Sequence, residues 1–100
     1  MELATFMTSL KEDHPPKGSS VYLQALWLDK KGNWTAAHDL IDNLPGRDAA
    51  RLHAYLHRAE GDEGNASYWY NKAGEKKPAY DLEKEWEILL EKFLSFSRLD

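Results

Sequence analysis

The sequence predicts an all-α protein, a short array of antiparallel helical hairpins with about six helices. Apolar side chains recur at helical spacing in every periodic stretch, and no stretch alternates in the manner of a strand. Glycine and proline separate these stretches at short intervals, and short connections make consecutive helices antiparallel neighbours. In addition, "GNWTAA" (32–37) and "GDEGNA" (61–66) both place a glycine five positions before an alanine. A unit that recurs in this way is typical of stacked helical hairpins.

The first three helices are each bounded by a residue that starts or stops a helix. The first (2–13) ends before the two prolines of "HPPKGSS", which cannot continue a helix. The second (20–31) begins at one of the two serines of that stretch and ends at Gly32. Asn33 opens the third helix (33–44), which carries a Trp, an Ala, two Leu and an Ile toward the core.

The last three helices carry similar signals. "LPGRD" stops the third helix, and Asp48 is a good N-cap for the fourth (49–60). After the turn "EGDEGN" a fifth helix (65–73) ends at Gly74, which is placed as a C-terminal cap. Asp81 then caps a long final helix whose outer face is acidic.

The composition limits the classes of function. One hundred residues, of which 42% are hydrophobic, make a single domain (1–100) with its own core. A net charge of -4 argues against binding to nucleic acid, and the absence of cysteine excludes disulfides and thiolate metal sites. The N-terminus lacks a signal-peptide pattern, and no apolar run is long enough to span a membrane. We therefore expect a cytoplasmic protein.

The stretch "GDEGNASYWYNKA…P" resembles the tetratricopeptide repeat, from its turn glycine to its closing proline. Gly61 matches the turn glycine, Ala66 the small packing residue, Tyr70 the large aromatic, Ala73 the last small residue and Pro78 the proline. "ASYWYNKAG" also resembles the related Sel1-type repeat. A longer string, "HAYLHR.EGD..NA.YWY..AG", resembles a small helical family for which no function is implied.

The resemblance covers residues 20–78 and implies two hairpins, at about 20–44 and 48–74. Since two hairpins are fewer than such arrays usually need, we expect the first helix and the last (81–98) to cap the open ends. The resemblance also implies a concave groove lined by the first helix of each hairpin. A groove of this kind would bind a protein or peptide segment, or a second copy of the chain, and it needs no cofactor.

The candidate groove residues lie on the first helices of the two hairpins. Arg51, Tyr55 and Arg58 follow one another at i, i+4 and i+7, and the same matching adds Tyr22 and Lys30. Two guanidinium groups beside tyrosines can hold a carboxylate through paired hydrogen bonds. The alternative is that both arginines pair with acidic residues of the last helix, which would then fill the groove. We therefore expect an interaction or scaffolding module, with the groove as its binding surface.

A second hypothesis is a metal-dependent protein or enzyme that uses His53, His57 and His38. The first two are one helical turn apart, the spacing of two metal ligands on a helix, and His38 or Asp42 would be a third. "HAYLH" has an alanine where a zinc-protease helix carries its glutamate. We favour the interpretation that these are core histidines bonded to carbonyls or carboxylates. No catalytic residue is assigned, and the sequence favours a protein that is not an enzyme.

Overall fold

In the computed structural model, the backbone of residues 1–98 and the side chains of residues 1–96 are described. This part of the chain contains six α-helices and no strand, which confirms the predicted fold class. The helices are α1 (Leu3–Ser9), α2 (Val21–Lys30), α3 (Trp34–Ile41), α4 (Arg47–Ala59), α5 (Glu63–Ala73) and α6 (Leu82–Arg98).

The turns that join α2 to α3 and α4 to α5 have the same geometry. Gly32 and Gly61 have φ angles of 85° and 86°, a left-handed conformation that glycine adopts without steric cost. In both turns the glycine amide donates to the carbonyl three residues earlier (3.0 Å), and the next amide donates to the carbonyl five residues before it (2.9 Å). The side chains of Asn33 and Asp62 then cap α3 and α5, each accepting at 3.2 Å from an amide three residues on. The repeat seen in the sequence is thus a repeat of structure at these turns.

Small residues allow the helices within each hairpin to approach closely. Ala25 and Ala37 in the first hairpin, and Ala54 and Ala66 in the second, are all fully buried. Each residue of the first pair lies 29 positions before its counterpart, the same shift that relates the two turns. A larger side chain at any of these positions would push the paired helices apart.

The first helix is shorter than the sequence predicts. Side chains of α2 and of Lys31, directly after it, donate hydrogen bonds to the backbone carbonyls that a longer α1 would use. α1 ends at Ser9, where the sequence predicts a helix to residue 13. The indole of Trp27 donates to both the carbonyl (3.3 Å) and the hydroxyl (3.1 Å) of Ser9. The ammonium group of Lys31 donates to the carbonyls of Leu10 (2.7 Å) and Glu12 (3.0 Å). These bonds satisfy the last carbonyls of the segment without a further helical turn.

Two predicted helix starts are also corrected. α4 begins at Arg47 with Gly46 as its N-cap, so Asp48 lies in the first turn, where its charge suits the helix dipole. α5 begins at Glu63, two residues before the predicted start, since Asp62 caps it and its side chain accepts from the amide of Asn65. In contrast, Ser20, Asn33, Gly74 and Asp81 act as caps where the sequence places them.

The helices form three layers, with α2 and α4 between the pair α3 and α5 on one side and α6 on the other. The indole of Trp86 on α6 donates to the carbonyl of Leu26 on α2 (3.0 Å), and its ring lies 6.3 Å from that of Phe6 on α1. α6 therefore lies along the face of α2 and α4 that the sequence analysis assigns to a groove. Within residues 1–98, no helix has both the length and the apolar composition needed to cross a bilayer.

Candidate functional site

The five candidate groove residues lie on the side of the molecule that α6 packs against. Arg51 and Tyr55 are buried there, Tyr22 and Arg58 are partly covered, and Lys30 stays exposed at the edge of a cleft. The ring of Tyr22 stacks on Phe93 of α6 with 4.9 Å between the ring centroids. The ammonium group of Lys30 lies 4.7 Å above the ring of Trp86, a cation–π contact. Both residues thus contact the last helix.

A single buried carboxylate on α6 holds the two arginines. One oxygen of Glu85 accepts from Nη1 of Arg51 and from the hydroxyl of Tyr70, both at 2.6 Å. The other oxygen accepts from Nη1 of Arg58 at 2.8 Å. Arg51 also donates to Glu75 (3.1 Å), and Glu85 has no exposed surface at all. The carboxylate is therefore surrounded by three donors, and its burial is compensated by charge-assisted bonds.

Burial and charge act in opposite directions on these groups. Burial lowers the pKa of Arg51, but the charge and the hydrogen bond of Glu85 outweigh it, so the pKa is raised and the guanidinium stays charged. Burial raises the pKa of Tyr70, and the Glu85 carboxylate raises it further. The hydroxyl of Tyr55 donates to Asp29 of α2 (2.6 Å), and burial raises the pKa of both groups.

The pairing of both arginines with the last helix, considered above as the alternative, is thus the observed arrangement. The chain supplies its own segment to the face of α2 and α4. A peptide would reach the buried Arg51 and Tyr55 only by displacing α6. The side chain of Arg58 is 14% exposed, but its donors are already used by Glu85 and by the carbonyl of Tyr80.

A second group of side chains lies on the opposite side of α4. His38 and Asp42 are one turn apart on α3, and His53 and His57 are one turn apart on α4. Because the two helices are neighbours, the four side chains face one another: Oδ1 of Asp42 lies 3.8 Å from Nε2 of His38 and 3.4 Å from Nε2 of His53. The ring centroid of His38 lies 5.0 Å from that of His53 and 5.2 Å from that of His57. The structure therefore brings together the three histidines and the aspartate of the second hypothesis.

The two histidines of α4 have different environments. Nδ1 of His57 lies 2.8 Å from a carboxylate oxygen of Glu60, which is the bonded state expected of a core histidine. His53 is only 1% exposed, and among the described residues neither of its ring nitrogens has a hydrogen-bond partner. Its contact with Asp42 lacks the geometry of a hydrogen bond. Burial, followed by the charge of His38, lowers the pKa of His53 to about 4, so the ring is neutral at pH 7.

A third feature was not foreseen from the sequence. A cleft of about 530 Å³ lies between α1 and α6, and it is lined by Leu3, Met7 and Ile88 together with charged residues at its rim. The three apolar side chains are 39, 41 and 38% exposed. Leu3 and Met7 share the apolar face of the first helix with Phe6, which is fully buried. Ile88 lies outside the apolar stripe of α6, which is the one signal in the sequence that could have indicated this surface.

Comparisons with protein-family models, with curated proteins and with solved structures found no match to this chain. The likeness to tetratricopeptide and Sel1-type repeats therefore stays a prediction.

Proposed function

We propose that this protein is a small helical interaction module that associates with a second copy of itself through the cleft between α1 and α6. The observation that carries the proposal is the exposure of Leu3, Met7 and Ile88 around one depression. Scattered exposed apolar residues need no explanation, but a group that lines a cleft indicates a binding surface. The proposal keeps the predicted class of function and moves the surface from the central helices, which α6 covers, to the outer side of α6.

The charges beside the cleft favour a second copy as the occupant. Lys84 and Glu91 are exposed on α6, seven residues apart, and so lie two turns apart on one face. A two-fold axis that crosses α6 midway between them sets the two α6 helices antiparallel. Each Lys84 then faces Glu91 of the other copy, so these two pairs are complementary across the axis, as a two-fold interface requires. Lys30, Glu83 and Glu87 also line the cleft, and the two Glu87 side chains meet near the axis, where their like charges oppose association.

The apolar contacts, rather than these ion pairs, would supply most of the affinity. An exposed ion pair contributes about 0–1 kcal/mol, whereas burial of one large aliphatic side chain contributes about 1.5–3 kcal/mol. Ile88, Met7 and Leu3 are each still partly exposed in the single chain and have this surface left to bury. The charges would mainly set the antiparallel orientation.

The test is the mass in solution as a function of protein concentration, measured by sedimentation equilibrium. We expect the wild type to pass from monomer to dimer with rising concentration and Ile88→Lys to remain a monomer. Tyr68→Lys is the matched control, since Tyr68 is an exposed apolar residue on α5, away from the cleft. It should associate like the wild type.

Charge reversal tests the orientation. Lys84→Glu should weaken the dimer through like charges, and the double variant Lys84→Glu/Glu91→Lys should restore it. A wild type that remains monomeric at every concentration would refute the proposal. If Ile88→Lys formed dimers at the same concentrations as the wild type, the interface would lie elsewhere on the protein.

A further inference from the structure

The structure assigns a second property to the face of α4 opposite the arginines. We propose that His38, Asp42 and His53 form a binding site for one divalent transition-metal ion of the zinc class. This inference is independent of self-association, because the three side chains lie on α3 and α4, away from the cleft between α1 and α6.

The donor atoms lie close to, and somewhat beyond, the distances that a metal ion requires. Two ligands that each bind Zn²⁺ at about 2.0–2.1 Å in tetrahedral geometry are about 3.3 Å apart. Oδ1 of Asp42 lies 3.4 Å from Nε2 of His53 and 3.8 Å from Nε2 of His38, and the three donors lie within 4.8 Å of one another. Closure around an ion therefore needs only a small change of side-chain torsion angles.

The burial of His53 is the observation that separates a metal site from an ordinary core. Buried polar groups nearly always have a hydrogen-bond partner, because a buried group that lacks one has lost its bonds to water without replacement. His53 is buried, and within the described part of the chain both of its ring nitrogens lack such a partner. A metal ion bound to Nε2 would satisfy one of them. The interpretation of core histidines fits His57, which pairs with Glu60 at 2.8 Å, better than His53, whose Nε2 lies 3.4 Å from Oδ1 of Asp42 at a poor hydrogen-bond angle.

Neighbouring aromatic rings hold the two imidazoles in place. Trp69 of α5 stacks on His53 with 4.0 Å between the ring centroids, and Trp34 stacks on His38 at 4.9 Å. The indole of Trp34 is in turn anchored by a 2.6 Å hydrogen bond to the carbonyl of Leu56. Rings held in this way lose little further freedom on binding, which favours affinity.

The donor types select the ion. Two imidazoles and one carboxylate suit Zn²⁺ and its neighbours, whereas Ca²⁺ and Mg²⁺ require sites built from oxygen atoms. The side chains of Asp42 and His38 are 52% and 20% exposed, so an ion can enter from solvent. Three protein ligands leave a coordination position for water, which is the arrangement of reactive rather than purely structural zinc sites.

A second group of possible ligands, His57, Glu60 and Asp62, is less suitable. His57 and Glu60 already pair at 2.8 Å. Asp62 uses both carboxylate oxygens on Asn65, at 3.2 and 2.7 Å, where it caps α5. Binding an ion there would break the helix cap.

The test is a calorimetric titration of tag-free, EDTA-treated protein with Zn²⁺. We expect one Zn²⁺ ion to bind per chain and no comparable binding of Mg²⁺. When Co²⁺ is used instead of Zn²⁺, we expect the visible absorption bands that Co²⁺ gives at low coordination number. Asp42→Asn removes one ligand at a half-exposed position and should weaken Zn²⁺ binding by at least about tenfold while the fold is kept. Two variants are matched controls: Glu60→Gln changes a residue of the second group, and His14→Gln changes an exposed histidine. Both should bind Zn²⁺ like the wild type.

A thermal melt gives an independent readout. A hundredfold excess of Zn²⁺ over its dissociation constant should raise the Tm of the wild type by roughly 10 °C or more, and should leave that of His53→Gln unchanged. If His53→Gln does not fold, Asp42→Asn serves the same comparison. The assignment would be wrong if Asp42→Asn bound Zn²⁺ as tightly as the wild type does, or if either control variant lost Zn²⁺ binding.

Discussion

The substitution Glu85→Gln tests the buried charge centre that fastens α6 to the rest of the protein. The side chain keeps its shape and loses its charge, and its new amide group is a donor that faces other donors. Glu85 accepts hydrogen bonds from Arg51, Arg58 and Tyr70. After the change Arg51 remains buried, and the half-exposed Glu75 is the one acidic partner it keeps among the described side chains.

The magnitude follows from the burial. Removing one partner of a buried ion pair costs about 3–5 kcal/mol, because the remaining charge stays desolvated without compensation. A domain of this size has a total free energy of unfolding of about 5–15 kcal/mol, so the loss is a large fraction of it. At about 4–8 °C per kcal/mol, we expect Tm to fall by at least about 12 °C.

Urea denaturation followed by circular dichroism measures this directly, with the m-value as a check that the unfolding transition is unchanged. Glu12→Gln is the control, since the side chain of Glu12 is exposed outside the cleft and its loss of charge should change stability by less than about 0.5 kcal/mol. A cost below about 1 kcal/mol for Glu85→Gln would refute the argument. The arginines would then be held by something other than this carboxylate, and the face of α2 and α4 would again be a candidate binding groove.

Two further predictions concern the packing around α4. In metal-free protein, stability should fall as the pH is lowered from about 6.5 to about 4, because the unfolded chain binds a proton on His53 that the folded chain, with its lowered pKa, does not. The difference approaches about 3 kcal/mol and should be absent in His53→Gln. Since His38, Asp42 and His57 face the same ring, only the difference between the two proteins measures this contribution, and equal pH profiles would contradict it. Ala66→Leu should lower the free energy of unfolding, measured by urea denaturation, by about 1–3 kcal/mol, because the fully buried Ala66 lies between α4 and α5. An unchanged stability would show that this interface can accommodate a larger side chain.

The sequence was sufficient for most of the fold because the signals that set helices are local. Asn33, Gly74 and Asp81 act as caps where expected, since a cap depends on residues within one turn. α1 ends four residues before its predicted end, because the hydrogen bonds that end it come from Trp27 and Lys31, which are distant in sequence. Local patterns cannot report such contacts.

In the candidate sites, too, the sequence determines the local part and the tertiary structure determines the rest. The spacing of His53 and His57, and of Arg51 and Arg58, places each pair on one face of a helix, and that much the sequence determines. Which face is covered, and by what, depends on how α6 and α3 dock. Docking brings Glu85 to the arginines and Asp42 to within 3.4 Å of His53. The tertiary structure alone therefore makes the arginines part of a buried ionic centre and leaves the buried His53 ring, among the described side chains, with no hydrogen-bond partner. The physical reason is that desolvation and pairing are properties of neighbours in space, whereas the sequence specifies only neighbours along the helix.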